Sequence, residues 1–268
     1  VIFIILANLP VIIFASVYGE NVLSGGWYTA LVCFSPAIAN VLTRLITKEG
    51  FKNNYLRGNF KGNMKYYVYG IIFAVVCSVL ALFFILAFFG RDIKLSNMNI
   101  NLTSLAVIIL SVVNGITVFW ISFGEEFGWR AYLTPKLETL MPKWAALIVS
   151  GIIWGLWHAP MIYYGLNFGT SYKGYPYAGY AVMCVSCIFY GCFLTFLTDK
   201  TNSVYPASVC HACVDSMMIP QLILPNFDTA FAENGFLTSV LYVMPHIIVG
   251  GVFFVMLVKG KKNAAFEK

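Results

Sequence analysis

Charge is scarce in this chain of 268 residues: Asp, Glu, Lys and Arg make up 10% of it, against about one quarter in an ordinary soluble domain. With 60% of residues hydrophobic, that scarcity excludes a soluble enzyme, and the chain reads as an all-α, polytopic bundle of membrane helices. The alternating pattern of an outer-membrane barrel is missing, and continuous apolar runs such as 71–89 and 236–258 require helices. No repeat of 20 to 50 residues and no low-complexity tract is present. The seven cysteines are odd in number, which argues against a disulfide framework. Cys184-x-x-Cys187 and Cys210-x-x-Cys213 resemble a paired zinc pattern only superficially. They are too far apart and lie in apolar stretches, where cysteine acts as a small hydrophobe.

What is there is a series of long apolar runs, near residues 1–19, 27–47, 66–90, 102–133, 143–166, 176–198, 203–224 and 236–259. Read as about eight transmembrane helices of about 20 residues each, they use nearly the whole length, so residues 1–268 are expected to form a single membrane domain. The first run begins at Val1 with no initiator Met and no clear cleavage motif, and is read as a retained helix. If every run crosses, Arg44, Lys48, Lys52, Arg57, Lys61, Lys65, Lys136, Lys143, Lys200, Lys259, Lys261, Lys262 and Lys268 fall on one side. Only Arg91, Lys94 and Lys173 fall on the other, which by the positive-inside rule puts both termini in the cytoplasm, with a bacterial cytoplasmic membrane as the expected location. The net charge of +6 then serves topology and contact with the lipid bilayer, and no nucleic acid is expected as a partner. Stretches 52–66 and 164–177 are expected loops. The second, with Tyr163, Tyr164, Tyr172, Tyr175 and Tyr177 in or beside it, fits an interfacial aromatic belt.

Inside the runs the ionisable groups reduce to Glu125, Glu126, Arg130, His158, His211 and Asp215, with His246 alone in the last run and assigned to packing or the interface. Each such group at mid-membrane depth costs about 3 kcal/mol unless it is paired or faces a wet cavity. Glu126 and Arg130 are one helical turn apart, with the acid on the favourable amino side. Glu125 points about 100° away and cannot share that arginine fully. A packing pair needs no second carboxylate, so Glu125 points to acid-base chemistry. His211 and Asp215 also share one face, and His158 sits just before Pro160, which ends or kinks its helix. Counted from the presumed cytoplasmic ends at 1.5 Å per residue, Glu126 lies roughly 15 Å deep, His211 roughly 12 Å and His158 roughly 22 Å, close enough to converge.

A carboxylate base, two imidazoles and one further polar group suit peptide hydrolysis by activated water. Glu125 would deprotonate water held against His158, and His211 with Asp215 would donate to the oxyanion, Asp215 being kept protonated by burial. Alternatively Glu126, His158 and His211 would hold zinc; no other cofactor is expected. The sequence has no H-E-x-x-H, no G-x-S-x-G and no cysteine poised as a nucleophile.

The stretch GEEFGWRAYL, with its E-E-x-x-x-R, resembles the first motif of the CPBP (Abi) family of CAAX-processing and bacteriocin-processing intramembrane proteases. WGLWH, Trp154 to His158, resembles the second, with Trp154 where Phe is commoner. HACVD, His211 to Asp215, resembles the third, and Ser35 to Asn53 is similar to the Pro and Arg stretch of bacterial members. The likeness is closest over 113–225, the expected catalytic core. It implies Glu125 as base, Glu126 and Arg130 as its support, His158 as partner of the water, and His211 with Asp215 at the oxyanion. Members have been described both as metalloproteases and as metal-independent glutamate proteases. The implied substrates are peptides or small membrane proteins, bacterial pheromone or bacteriocin precursors among them, and prenylated ones too. The competing readings are a non-catalytic bacteriocin-immunity or scaffold protein, and a proton-coupled transporter, which would lack inverted repeats.

Overall fold

The computed structural model describes residues 1–19, 21, 27–90, 98–224 and 227–260, with side chains described from residue 30 in the second helix and from residue 235 in the last. The elements in chain order are α1 (Ile2–Tyr18), α2 (Trp27–Ile46), α3 (Met64–Phe89), α4 (Leu102–Thr117), α5 (Phe119–Gly128), a π-helical turn (Trp129–Leu133), α6 (Thr134–Glu138), α7 (Lys143–Trp157) and α8 (Ala159–Tyr163). They are followed by α9 (Tyr177–Thr201), α10 (Tyr205–Ser216), α11 (Ile219–Ile223) and α12 (Phe227–Lys259). No strand is present among the described residues, and the expected helical bundle is what forms.

Three of these helices are long and apolar enough to cross a membrane, within Met64–Phe89, Tyr177–Thr201 and Gly235–Lys259. The pair Leu102–Thr117 and Phe119–Glu138, bent by 51°, is long and apolar enough only when the two are taken together, as a broken span or a re-entrant loop. Shorter apolar helices occupy Ile2–Tyr18, Ala30–Ile46 and Lys143–Trp157, so length and composition do not by themselves confirm eight spans.

Three expected runs are broken, each with a local cause. Run 102–133 bends at Val118, where the Thr117 hydroxyl donates back to the Asn114 carbonyl at 2.9 Å and loosens the ladder. Run 143–166 stops at His158, and Pro160 lies in the first turn of α8, where proline is tolerated. Run 203–224 splits because Met217 is extended, and Pro220 opens the separate helix α11. Prolines 135 and 206 open α6 and α10 in the same way.

The basic residues gather as their spacing suggested. Phe3 packs on Tyr132, Lys143 bridges Glu138 and Asp199 at 3.3 and 2.6 Å, and Asn59 reaches the Thr201 carbonyl at 2.9 Å. These contacts bring the start of α1, the 47–63 loop, the start of α7 and the end of α9 to one end of the bundle. The last helix runs parallel to α9, with Tyr172 on Phe236 at 4.3 Å and Phe196 on Phe253 at 4.9 Å, so Lys259 reaches that end too. Arg44 departs from the loop-charge expectation. It is only 7% exposed, because the last turn of α2 is packed against the π turn.

Two G-x-x-x-G spacings close the bundle around its centre. A Cβ on Gly124 would sit 2.6 Å from the Cys33 carbonyl, and one on Gly128 2.6 Å from the Pro36 carbonyl, so α5 lies flush on α2. Gly151 and Gly155 press α7 onto Ile188 and Cys184 of α9 in the same manner. The cysteines serve these contacts as small packing groups: Cys187 and Cys210 are buried in the main core, and Cys213 lies against Gly115 of α4. His246 is buried between the rings of Phe73 and Tyr190, a packing role as expected.

Candidate active site

The polar residues singled out in the sequence meet where α5, the π turn, α7 and α10 converge. Glu126 is fully buried, and Arg130 approaches it with two nitrogens, Nη1 on Oε1 and Nε on Oε2, both at 3.2 Å. His211 Nδ1 lies 2.7 Å from the same Oε1. A carboxylate only accepts, so Nδ1 carries the proton and Nε2 is the ring nitrogen turned the other way. There it meets Asp215 Oδ2 at 3.5 Å. Arg130, Glu126, His211 and Asp215 therefore form one chain of alternating charge type across two helices.

Glu125 stays outside that chain, as its position round the helix requires. It is 7% exposed, and its Oε2 accepts from Trp154 Nε1 at 2.9 Å. The Cys33 thiol of α2 is within hydrogen-bonding reach of the same carboxyl. His211, Glu126 and Arg130 all act on Glu125 electrostatically.

Trp154 stands out in the sequence only as a Trp where Phe is commoner, and the structure gives it more to do. Besides holding Glu125, its ring carries the Arg130 guanidinium at 3.9 Å and takes the His211 ring edge-on at 5.4 Å. Tyr190 of α9 meets both Trp154 and His211, at 5.9 and 5.7 Å. Its spacing from the motifs gave no signal for this. A cavity of about 10 Å³ behind Arg130, among Thr134, Ser150, Trp154, Cys187, Gly191 and Thr195, has room for no more than one water.

His158 caps the end of α7. Its Nδ1 lies 2.9 Å from the Trp154 carbonyl, its ring meets Trp157 edge-on at 4.8 Å, and His211 and Asp215 act on it electrostatically. The break at His158 leaves the ring half-buried and Nε2 turned away from the helix carbonyl. Ala159 and Pro160, next to it, line an apolar groove of about 380 Å³ between α1, α8 and α9.

The Asp215 side chain is 61% exposed, because α10 ends one residue later and its last turn faces outward. The zinc set of Glu126, His158 and His211 does not converge. Both Glu126 oxygens face Arg130 or His211, and His211 Nδ1 is taken by Glu126. Among the described residues no three His, Cys, Asp or Glu side chains are grouped to hold a metal ion. The donor set in this arrangement therefore does not fit zinc.

Asn40 of α2 was missed in the sequence and Arg44 was not assigned to the site; both are buried. Asn40 Nδ2 donates to the Phe127 carbonyl at 2.7 Å, just before the π turn, and Arg44 Nη2 to the Ala131 carbonyl at 3.3 Å, inside it. The run of apolar residues around them concealed Asn40, and Arg44 was absorbed into the charge count of the loop.

Comparison with known proteins agrees with the motifs. Residues 100–217 match the family model of the type II CAAX prenyl endopeptidase Rce1-like proteins, a span that contains every one of the six site residues. The chain is also 37% identical over 62 residues to CAAX prenyl protease 2 of Methanococcus maripaludis, a match covering 18% of this chain and 23% of that protein. It thus spans under a quarter of that relative's length. The matched span, 118 of the 268 residues, and the three motifs in order support the CPBP/CAAX protease family as the one this chain resembles.

Proposed function

We propose that this integral membrane protein is an intramembrane endopeptidase that hydrolyses peptide bonds with water activated by Glu125. The observation that carries the reading is the separation of its two adjacent carboxylates. Glu126 is consumed by Arg130 and His211, whereas Glu125 is held at one oxygen by an indole N–H and stands beside that network.

In the proposed reaction Glu125 takes a proton from water oriented with the help of His158, and the resulting hydroxide attacks the scissile carbonyl. The negative charge that develops on the carbonyl oxygen is met by the N–H of His211 that faces Asp215 and the open side of the site. Collapse of the tetrahedral intermediate passes the proton from Glu125 to the leaving amine and restores the carboxylate. Glu126 and Arg130 orient His211, and Asp215 accepts from it. No step needs a metal.

The substrates that suit such a site are hydrophobic or membrane-delivered peptides, and the relative's name makes prenylated peptides the first to try. The basic end of the bundle, where α1 begins and α12 ends, is assigned to the cytoplasm. The test is cleavage of an internally quenched farnesylated peptide by the full chain in nanodiscs. Glu125→Gln should reduce turnover by about 10²- to 10⁴-fold at unchanged melting temperature. Turnover that survives in a folded Glu125→Gln protein removes the proposal.

A further inference from the structure

We propose that Asn40 and Arg44 are positioning residues that hold the π turn of the catalytic helix, and through it present Arg130 and Glu126 to His211; the inference rests on the protease reading above.

A π turn inserts one extra residue into the helical ladder, so neighbouring carbonyls lose their regular partners and the side chains beyond it are rotated. Here the turn covers Trp129–Leu133 and closes with the Thr134 N–H on the Trp129 carbonyl. Arg130 lies inside the turn, four residues from Glu126, which precedes it. The direction of the guanidinium therefore depends on the turn being kept in place.

Side-chain donors to this stretch come from α2, where Asn40 and Arg44 are also one turn apart and bonded to each other, Arg44 Nε on Asn40 Oδ1 at 2.7 Å. Asn40 reaches the Phe127 carbonyl just before the turn and Arg44 the Ala131 carbonyl at its middle, so the linked pair grips its first half. The arginine is fixed in return: Nη1 donates to the Gly50 carbonyl at 3.0 Å, and the guanidinium lies 5.1 Å from the Tyr132 ring centre. The loop adds a second grip, with Glu49 accepting from Tyr132 at 2.6 Å and from Lys136. Arginine suits this work because its planar fork serves several carbonyls at once, which one lysine ammonium does not. The close seating of Gly124 and Gly128 on Cys33 and Pro36 brings the two helices near enough for the short Asn40 side chain to reach.

The test uses the full chain in nanodiscs with the farnesylated peptide, and three variants. Asn40→Asp keeps the acceptor for Arg44 and loses the donor; Arg44→Lys keeps the charge and loses the fork; Arg44→Ala empties the site. Each should lower kcat by about 10- to 100-fold with KM within about twofold, since misplacement by an ångström costs that much. Methylguanidinium should restore turnover to Arg44→Ala and not to Glu125→Gln. Independently of any cleavage, amide hydrogen exchange over residues 127–134 should accelerate in Asn40→Asp and Arg44→Lys while α12 is unchanged. Wild-type kcat and unaltered exchange in these folded variants overturn the proposal, as does a loss confined to KM. If the wild-type chain cleaves no peptide, the protease reading fails, and the exchange measurement still decides whether the clamp exists.

Discussion

The chain holds two groups of paired charges whose chemistry is alike and whose surroundings are opposite. At the basic end, Lys136 and Glu49 keep 51% and 22% of their side-chain surface open, and Lys143 with Asp199 about a quarter each. In the centre, Arg130 and Glu126 keep 3% and 0%. An exposed pair exchanges partners with water at almost no cost, whereas a buried one has nothing to exchange with. The outer group joins segments. The inner group is obliged to remain intact, and its geometry is correspondingly complete, with an arginine, a carboxylate, an imidazole and a second carboxylate in sequence.

The comparison breaks most visibly if one inner partner is deleted. Arg130→Ala leaves the buried Glu126 carboxylate with His211 but without its guanidinium partner, and should cost about 3 kcal/mol, read as a large fall in the denaturation midpoint in detergent. If Arg130→Ala melts with the wild type, the inner pair behaves as an outer one and the contrast is lost. Next in size is the seam that encloses the centre. Gly128→Val drives a side chain into the backbone of Pro36 and should cost about 1–3 kcal/mol, checked by thermal melting with Gly128→Ala as the milder member of the pair. Trp154→Phe keeps the ring under Arg130 and removes the hydrogen bond to Glu125. It should lower kcat by about tenfold with little effect on stability, which steady-state kinetics and a melt together would show.

The smallest effect belongs to the outer group. Burial opposes ionisation of Glu49, but hydrogen bonds from Lys136, Tyr132 and Thr47 outweigh it and hold the carboxyl below its ordinary range. Because the folded value is depressed, the stabilisation is present above the unfolded value near 4.5 and is lost as pH falls through the folded value. Glu49→Gln should therefore cost under about 1 kcal/mol at neutral pH, and its melting curve should converge with that of the wild type as the pH is taken below 4.5.

Much of the centre was legible because charge is so rare in this chain that each intramembrane ionisable group is informative on its own. The i, i+4 spacing gave Glu126 to Arg130 and His211 to Asp215, and both contacts are present. The cross-helix bond between His211 and Glu126 was not legible, since nothing in local spacing says which of two acids faces a distant imidazole. The end of α10 just beyond Asp215 was not legible for a related reason: run 203–224 looks continuous, while the extended Met217 and Pro220 break it there. The π turn left no periodic signature either, because a single inserted residue is hidden within the aromatic stretch Trp129–Leu133. Asn40 went unnoticed with it, and Arg44 was not assigned to the site.

The glycine ridge of α5 carries a last implication for how this sequence can vary. One side of the helix is shut tightly against α2 while the other carries Glu125 and Glu126, so every bulkier residue accepted at 124 or 128 must be answered by a retreat of residues 33–36. Such a retreat would drag Asn40 and Arg44 along with it. Change on the silent side of the helix is thereby tied to the position of the acids on the other.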